Sequence, residues 1–294
     1  MIFKQKMILS LSLALIFGMH SGAFAAGQII AASDGKGPVT PVSSLVQISP
    51  EEMDPDGKRL ILEGGVEYAQ KVAKDEVEGR EAGTEFTLVL GYKLSSLFSL
   101  KAKGIITKQE DGPKDTSYSN TQLTLSIKGK KLNDQFETVH AVTAVIPTNK
   151  DSIERDRLKG AFALANGIHY DGVFASATYI LSLAKNIHEF NFNADGKANI
   201  EYTLSNSLEV VVPMGDMFSI SLAGLFKNGR TYGGFERSSF GFSADLNIAV
   251  SKNLGINLGT SNEGAGVKPN GTDSNIAAYD ANSSVFRLGA SYAY

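Results

Sequence analysis

The sequence predicts an all-β protein, a transmembrane antiparallel up-and-down β-barrel of twelve strands. Three observations predict it. Segments that alternate apolar and polar residues with a period of two recur from residue 59 to the end. The connections between them alternate short and long. The last segment, SSVFRLGASYAY from Ser283, ends on an aromatic residue, with Phe286, Leu288, Ala290, Tyr292 and Tyr294 on one face. Arg287, Gly289, Ser291 and Ala293 fall on the other.

Composition agrees with that class. Mean hydropathy is -0.06, as expected of a barrel in which only alternate residues meet lipid. After the leader, no stretch is apolar for the eighteen or so residues a membrane-spanning helix needs. The chain has no cysteine, which excludes disulfides, thiolate metal sites and a thioether lipid anchor. No cofactor or metal motif is present. A net charge of -3 gives no electrostatic footprint for nucleic acid.

Residues 1–25 read as a signal peptide. Lys4 and Lys6 precede an apolar run from Met7 to about Met19, and Ala23-Phe24-Ala25 is a small-residue cleavage site. Residues 26–58 have no period and carry Gly35, Gly37, Pro38, Pro41, Pro50 and Pro55. They read as an irregular lead-in or a partial plug. The barrel is expected over 59–294.

The first strand, 59–71, places Leu60, Leu62, Gly64, Val66 and Tyr68 outward and Glu63, Glu67 and Lys71 opposite. The second, 84–94, turns Phe86, Leu88, Leu90 and Tyr92 outward against Glu85 and Lys93. The third, 97–108, sets Phe98, Leu100 and Ile106 against Lys101 and Lys103. The fourth, 118–129, sets Leu123, Leu125 and Ile127 against Gln122, Thr124 and Lys128. The fifth, near 135–147, has two competing phases, one through Val139 and Ala141 and one through Val142 and Ala144.

The sixth, 159–169, alternates Phe162, Leu164 and Ile168. In the seventh, Val173 to Leu183 keep one parity, and His188, Phe190 and Phe192 take the other. Either a bulge or a turn at Lys185-Asn186 explains the switch, giving twelve or thirteen strands, and the even-number rule for single-chain barrels favours the bulge. The eighth, 198–213, sets Ile200, Tyr202, Leu204, Leu208 and Val210 against Glu201, Thr203, Ser207 and Glu209. The ninth is 217–228, and the tenth, 236–250, sets Phe240, Phe242 and Leu246 against Arg237 and Asp245. The eleventh is 254–261, and the terminal segment is the twelfth.

Short connections are expected at 95–96, 131–134, 170–172, 214–216 and 251–253. Longer ones are expected at 72–83, 109–117, 148–158, 229–235 and 262–283, with 194–197 short for its side. The signal peptide, the alternating strands and the aromatic terminus resemble those of the porin-like outer-membrane β-barrel proteins of Gram-negative bacteria. The resemblance covers residues 59–294 and implies an integral outer-membrane location. It also implies that Tyr292 and Tyr294 form the C-terminal signal read by the barrel assembly machinery, with periplasmic chaperones acting during biogenesis. Short turns are then periplasmic, as are both termini, long loops are extracellular, and loop 262–283 is an exposed cap or a flap over the mouth.

The inward parity collects Glu63, Glu67, Glu85, Lys93, Lys101, Lys103, Lys128, Glu201, Glu209, Arg237, Asp245 and Arg287 as lumen-lining candidates. These charges pair across the lumen or solvate it, and twelve strands enclose enough interior for a water-filled passage if no plug blocks it, which points to a passive channel for small hydrophilic solutes or ions. A non-conducting structural or adhesive barrel is the alternative. A lipid-modifying enzyme is a further one, and it needs a nucleophile beside a base. The mature chain has only His140, His169 and His188, none in such an arrangement. His188 shares a parity with Phe190 and Phe192 and is expected near a strand end, facing outward. Tyr68, Tyr92, Tyr179, Tyr202 and Tyr292 are candidates for interfacial girdles. Homo-oligomerisation is not indicated either way.

Overall fold

In the computed structural model, residues 59–72, 82–110, 116–267, 273–280 and 283–294 are described. The leader, the 26–58 segment and the middles of three long connections lie outside these. The elements are β1 (Leu60–Lys71), β2 (Ala82–Lys93), β3 (Phe98–Gln109), β4 (Thr116–Tyr118), β5 (Thr121–Ile127) and β6 (Phe136–Ile146). They continue with the one-turn helix α1 (Lys150–Glu154), β7 (Leu158–Asp171), β8 (Ser176–His188) and β9 (Ile200–Met214). The last four are β10 (Phe218–Thr231), β11 (Glu236–Ala249), β12 (Leu254–Ala265) and β13 (Val285–Ala293).

Apart from β4 and β5, each strand pairs antiparallel with its chain neighbour, and β13 pairs with β1, from Glu63↔Ala293 to Lys71↔Val285. The sheet is therefore closed. β4 and β5 both pair with β3 and occupy one position on the wall, so the barrel has twelve positions. They are one strand interrupted by a one-residue register change, since Ile106 faces Tyr118 while Lys103 faces Gln122. The interruption has a cause. Asn120 turns its buried amide away to accept from the backbone N–H of Thr148 and Asn149 and to donate to Ser152 Oγ at 2.9 Å. It thereby ties the strand to α1, which Asn149 caps.

The barrel is apolar outside and polar inside. Phe86, Leu88, Leu90, Phe162, Leu164, Leu222 and Leu288 lie exposed on the outer face. Exposure of this much contiguous apolar surface is tolerable only against lipid or a partner. Most strands run 12–15 residues, more than the roughly 9–11 that a tilted strand needs to cross a bilayer. Tyr92, Tyr179 and Tyr292 sit on the outer face near the short-connection end, and Tyr68 and Tyr202 near the other. The ambiguous β6 resolves with Val142 outward and Val139 and Ala141 inward. There they join Ala165 and Ile180 in a small buried cluster on the inner wall of β6–β8.

Several boundaries differ from expectation. β8 has neither a bulge nor a turn at Lys185-Asn186. Tyr179, Leu181, Leu183, Lys185 and Ile187 keep one exposed parity, and Asn186 faces inward, donating to Ile200 O at 3.0 Å. Lys185 breaks the apolar pattern because it lies near the strand end, where its amine reaches Tyr202 OH at 3.0 Å. Phe190 and Phe192 belong to the connection 189–199, where Phe192 bridges Ala198. The parity switch is the end of the strand, and the register shift in this pair lies on β7 between Leu158 and Gly160. His188 therefore takes the inward parity and meets Tyr232 edge-on at 5.8 Å.

The connection 189–199 is thus long. The connection after β10 is instead the short 232–235, because β10 runs on to Thr231. Gly234 permits that tight turn with φ of 81°. The loop after β12 also departs from a flap over the mouth. Asn262, on the outer parity of β12, is buried, donates to Ala277 O at 2.7 Å and accepts from Ser283 Oγ at 2.7 Å. Asn275, Ala277 and Ser283 of this loop are held against the outer side of β12.

Leu88→Arg, at the middle of the outer face of β2, is expected to destabilise the barrel by about 2–4 kcal/mol. Urea unfolding of the protein folded into lipid vesicles measures this.

Candidate functional site: the charged inner wall

The polar inner parity brings charges from β1, β2, β3, β11 and β13 onto one continuous stretch of wall. Arg287 of β13 is its centre. The residue is 3% exposed, whereas its neighbours Phe286 and Leu288 are 59% and 54% exposed on the outer face. Its Nη2 donates to Asp245 Oδ1 of β11 at 2.6 Å, and its Nη1 lies 3.7 Å from Glu67 Oε1 of β1. Asn257 of β12 donates to Glu67 Oε2 at 3.2 Å, and Asn247 of β11 donates to Ser221 Oγ of β10 at 3.1 Å. One guanidinium thus serves two carboxylates across four strands and spans the seam where β13 meets β1.

A second group lies beside it. Lys101 of β3 donates to Glu63 of β1 at 3.3 Å. Lys103 stands in register with Val89, which faces Glu63, and it interacts electrostatically with Glu85 and Glu63. Glu85 faces Glu67 directly across the β1–β2 pair. Like charges in that position repel unless compensated. Arg287, Lys103 and the Thr87 hydroxyl, which donates to Glu85 at 3.4 Å, supply that compensation.

Contacts that skip a strand need a gap in the strand between. Arg287 and Asp245 both pair with Gly259 of β12, Glu67 and Asn257 both pair with Gly289 of β13, and Lys101 pairs with Gly91 of β2. A Cβ on Gly259 would collide with Asp245 Oδ1, and one on Gly289 with Asn257 Oδ1. At Gly91 it would stand 2.9 Å from Lys101 Cγ and 3.1 Å from Leu100 O. The long side chains lie along the wall over these glycines.

The structure brings together Glu63, Glu67, Glu85, Lys101, Lys103, Asp245 and Arg287. Glu209 stands apart on the inner parity of β9, paired with Thr178 and Ala223. Lys93 and Lys128 lie at the short-connection end, Lys128 exposed just beyond β5. Arg237 lies at the opposite end on the inner parity. Glu201, expected to face the lumen, is turned outward there: the ladder to β10 shifts register between Arg230 and Thr231, Ile200 swings inward over Gly229, and the Glu201 carboxylate comes within 3.8 Å of the outward Lys185. The lumen-lining candidates leave out Asn257, Lys227, Glu263 and the three glycines, although Gly289 falls on the inward face of the terminal segment. Lys227 continues the inward parity of Ser219, Ser221 and Ala223, and Glu263 continues that of Asn257 and Ser261. Glu263 falls beyond an eleventh strand that ends at 261. Nothing in a period of two distinguishes a glycine under an ion pair from any other.

His140 and His169 are held by neutral partners. His140, on the outer face, contacts Asn166 Oδ1 at 2.9 Å and Thr138 Oγ1 at 3.0 Å. His169 contacts Thr178 Oγ1 at 2.8 Å. Among the described residues no group of three or more His, Cys, Asp or Glu is arranged to hold a metal ion.

The closed barrel defines a class of fold shared with outer-membrane channels. The chain is similar to the COG4313 outer membrane channel from Pseudomonas putida F1, with a TM-score of 0.53 and 11% identity over 83% of this chain and 100% of that one. It is also similar to the KdgM porin, with a TM-score of 0.47 and 9% identity over 78% of this chain and 99% of that one. No protein-family model and no curated protein matches the sequence.

Arg287→Gln leaves Glu67 and Asp245 without the cation they share. The expected loss is about 3–5 kcal/mol, the range for breaking a buried pair from one side. A double-mutant cycle of Arg287→Gln with Asp245→Asn, read by urea unfolding in vesicles, checks that the loss belongs to the pair.

Proposed function

We propose that this chain is a passive outer-membrane channel for small hydrophilic solutes or ions. The observation that carries this reading is the inversion of polarity in a closed barrel: lipid-compatible side chains outside, and charges of both signs laid along the inner wall. Twelve strands enclose more interior than the eight that side chains alone can fill. Asn275, Ala277 and Ser283 of the loop after β12 are held against the outer face, which supports an uncovered mouth. The likeness to a solved outer-membrane channel supports the same reading. In it, Glu63, Glu67, Glu85, Lys101, Lys103, Glu209, Asp245 and Arg287 line the passage, with Lys93 and Lys128 at one rim and Arg237 at the other. The cations and carboxylates neutralise one another locally, so wild-type selectivity between ions of opposite sign is weak.

The same reading makes Tyr292 and Tyr294 the signal through which the barrel assembly machinery receives the chain from periplasmic chaperones. Both termini are then periplasmic and the long connections extracellular.

Purified protein whose gel migration changes on heating, as a folded barrel's does, is expected to give stepwise conductance in planar lipid bilayers. A folded, heat-modifiable barrel without conductance overturns the channel in favour of a filled scaffold. Removal of Tyr294 is expected to lower the amount of folded barrel in the outer membrane while leaving synthesis and export unchanged. Fractionation with heat-modifiability gels measures this.

A further inference from the structure

We infer that Gly259, Gly289 and Gly91 are positioning residues that set the width and charge preference of the passage. They do so by letting strand-skipping polar contacts lie flat on the wall. The inference rests on the channel reading and deepens it. A charged side chain on the inner face of a barrel has two places to go. It can project across the lumen toward the opposite wall, or lie along its own wall and meet a partner there. An arginine pointing across the passage narrows it and places an uncompensated positive charge in the path of ions. One lying along the wall does neither.

Lying flat has a steric condition. Strands in a sheet stand about 4.8 Å apart, so a contact from β13 to β11 passes directly over the inward side chain of β12. At the place where Arg287 passes, that side chain is absent, because Gly259 pairs with Asp245 on one side and with Arg287 on the other. The contact from Asn257 of β12 to Glu67 of β1 passes over β13, and at that place stands Gly289. The contact from Lys101 of β3 to Glu63 of β1 passes over β2, beside Gly91. Two of these strand-skipping contacts cross directly above a glycine at the seam, and in the third the stem of Lys101 lies over Gly91 while Val89 stands opposite Glu63. Gly104 provides the contrast. It lies on the outer parity of β3, and a Cβ there would meet nothing within 4 Å.

Gly259 bears the heaviest consequence. A Cβ at this position would displace the Asp245 carboxylate and would also stand 2.7 Å from Ala244 O. The carboxylate must rotate, and the guanidinium loses its 2.6 Å partner. It keeps Glu67 at 3.7 Å on one side only, and its free end turns into the lumen.

The test is single-channel recording in planar bilayers, with the reversal potential measured under a salt gradient, on protein first shown to be folded by heat-modifiability. Gly259→Ala and Gly289→Ala are expected to lower conductance by roughly a factor of two or more, because the bore and its lining charges govern conduction. Gly259→Ala is further expected to shift the reversal potential toward anion preference. Gly104→Ala, the same chemical change in open space on the outer face, is expected to conduct as wild type does. Asp245→Ala and Asp245→Asn keep the test decisive if Gly259→Ala does not fold. Both remove the same charge, but the amide introduced by Asp245→Asn retains an oxygen that accepts from Arg287. Conductance is expected to fall in Asp245→Ala and to stay near wild type in Asp245→Asn. Equal conductance in all these variants, with a conducting wild type, overturns the inference and leaves the channel reading intact. A folded wild type that does not conduct overturns both.

Discussion

The backbone pairing of β13 with β1 is the constraint on which everything else depends. Until it forms, the chain is an open sheet with two edges, and each edge offers unpaired N–H and C=O groups. In hydrocarbon every such group costs several kcal/mol. Once the pairs from Glu63↔Ala293 to Lys71↔Val285 are made, no edge is left, and the outer face can be as apolar as lipid requires. Closure also creates the interior. The alternate residues of an open sheet would face water on a flat surface, whereas in the closed sheet they face one another across a lumen.

The seam is also where side-chain interactions concentrate. Arg287, Glu67, Asp245 and Asn257 come from β13, β1, β11 and β12, so their network crosses the junction that closes the barrel. Desolvating three charges is expensive, and their mutual attraction repays it only with close geometry. Here the geometry depends on missing side chains. Gly259 and Gly289 weaken their own strands slightly, as glycine does in a sheet. In return they permit contacts across an intervening strand. The same stretch of wall therefore reinforces the closure and holds its charges flat along the lumen wall. The wall of β6–β8 is built differently, with Val139, Ala141, Ala165 and Ile180 packed as a small buried cluster. The ion-pair network thus occupies one side of the barrel and this small apolar cluster another.

Much of the fold is legible because its rule is local. A strand with lipid on one side must alternate, so Leu60 to Tyr68, Phe86 to Tyr92 and Tyr202 to Val212 announce their faces residue by residue. The rule fails where a strand leaves the hydrocarbon. Lys185 keeps the outward parity but ends the apolar pattern, because its amine lies near the interface against Tyr202. In sequence that looks like a bulge. The expected end of β10 falls three residues short because Asn228 and Arg230 on its outer face are polar, although its ladder to β11 runs on to Arg230↔Glu236. The break between β4 and β5 is invisible in sequence because its cause, the Asn120 amide, acts on residues 148, 149 and 152.

The sequence by itself determined the class of fold and most of the inward and outward faces, because side-chain direction along a strand follows from neighbours two residues apart, and with the even-number rule it selected twelve positions on the wall. It also marked most of the inward charges. The tertiary structure alone decided which of them meet. Glu67 and Asn257 are separated by 190 residues, and their contact depends on strand register across the seam, which no local pattern encodes. Register likewise decided that Gly259 and Gly289, indistinguishable in sequence from other strand glycines, lie beneath the contacts that hold the charged wall flat.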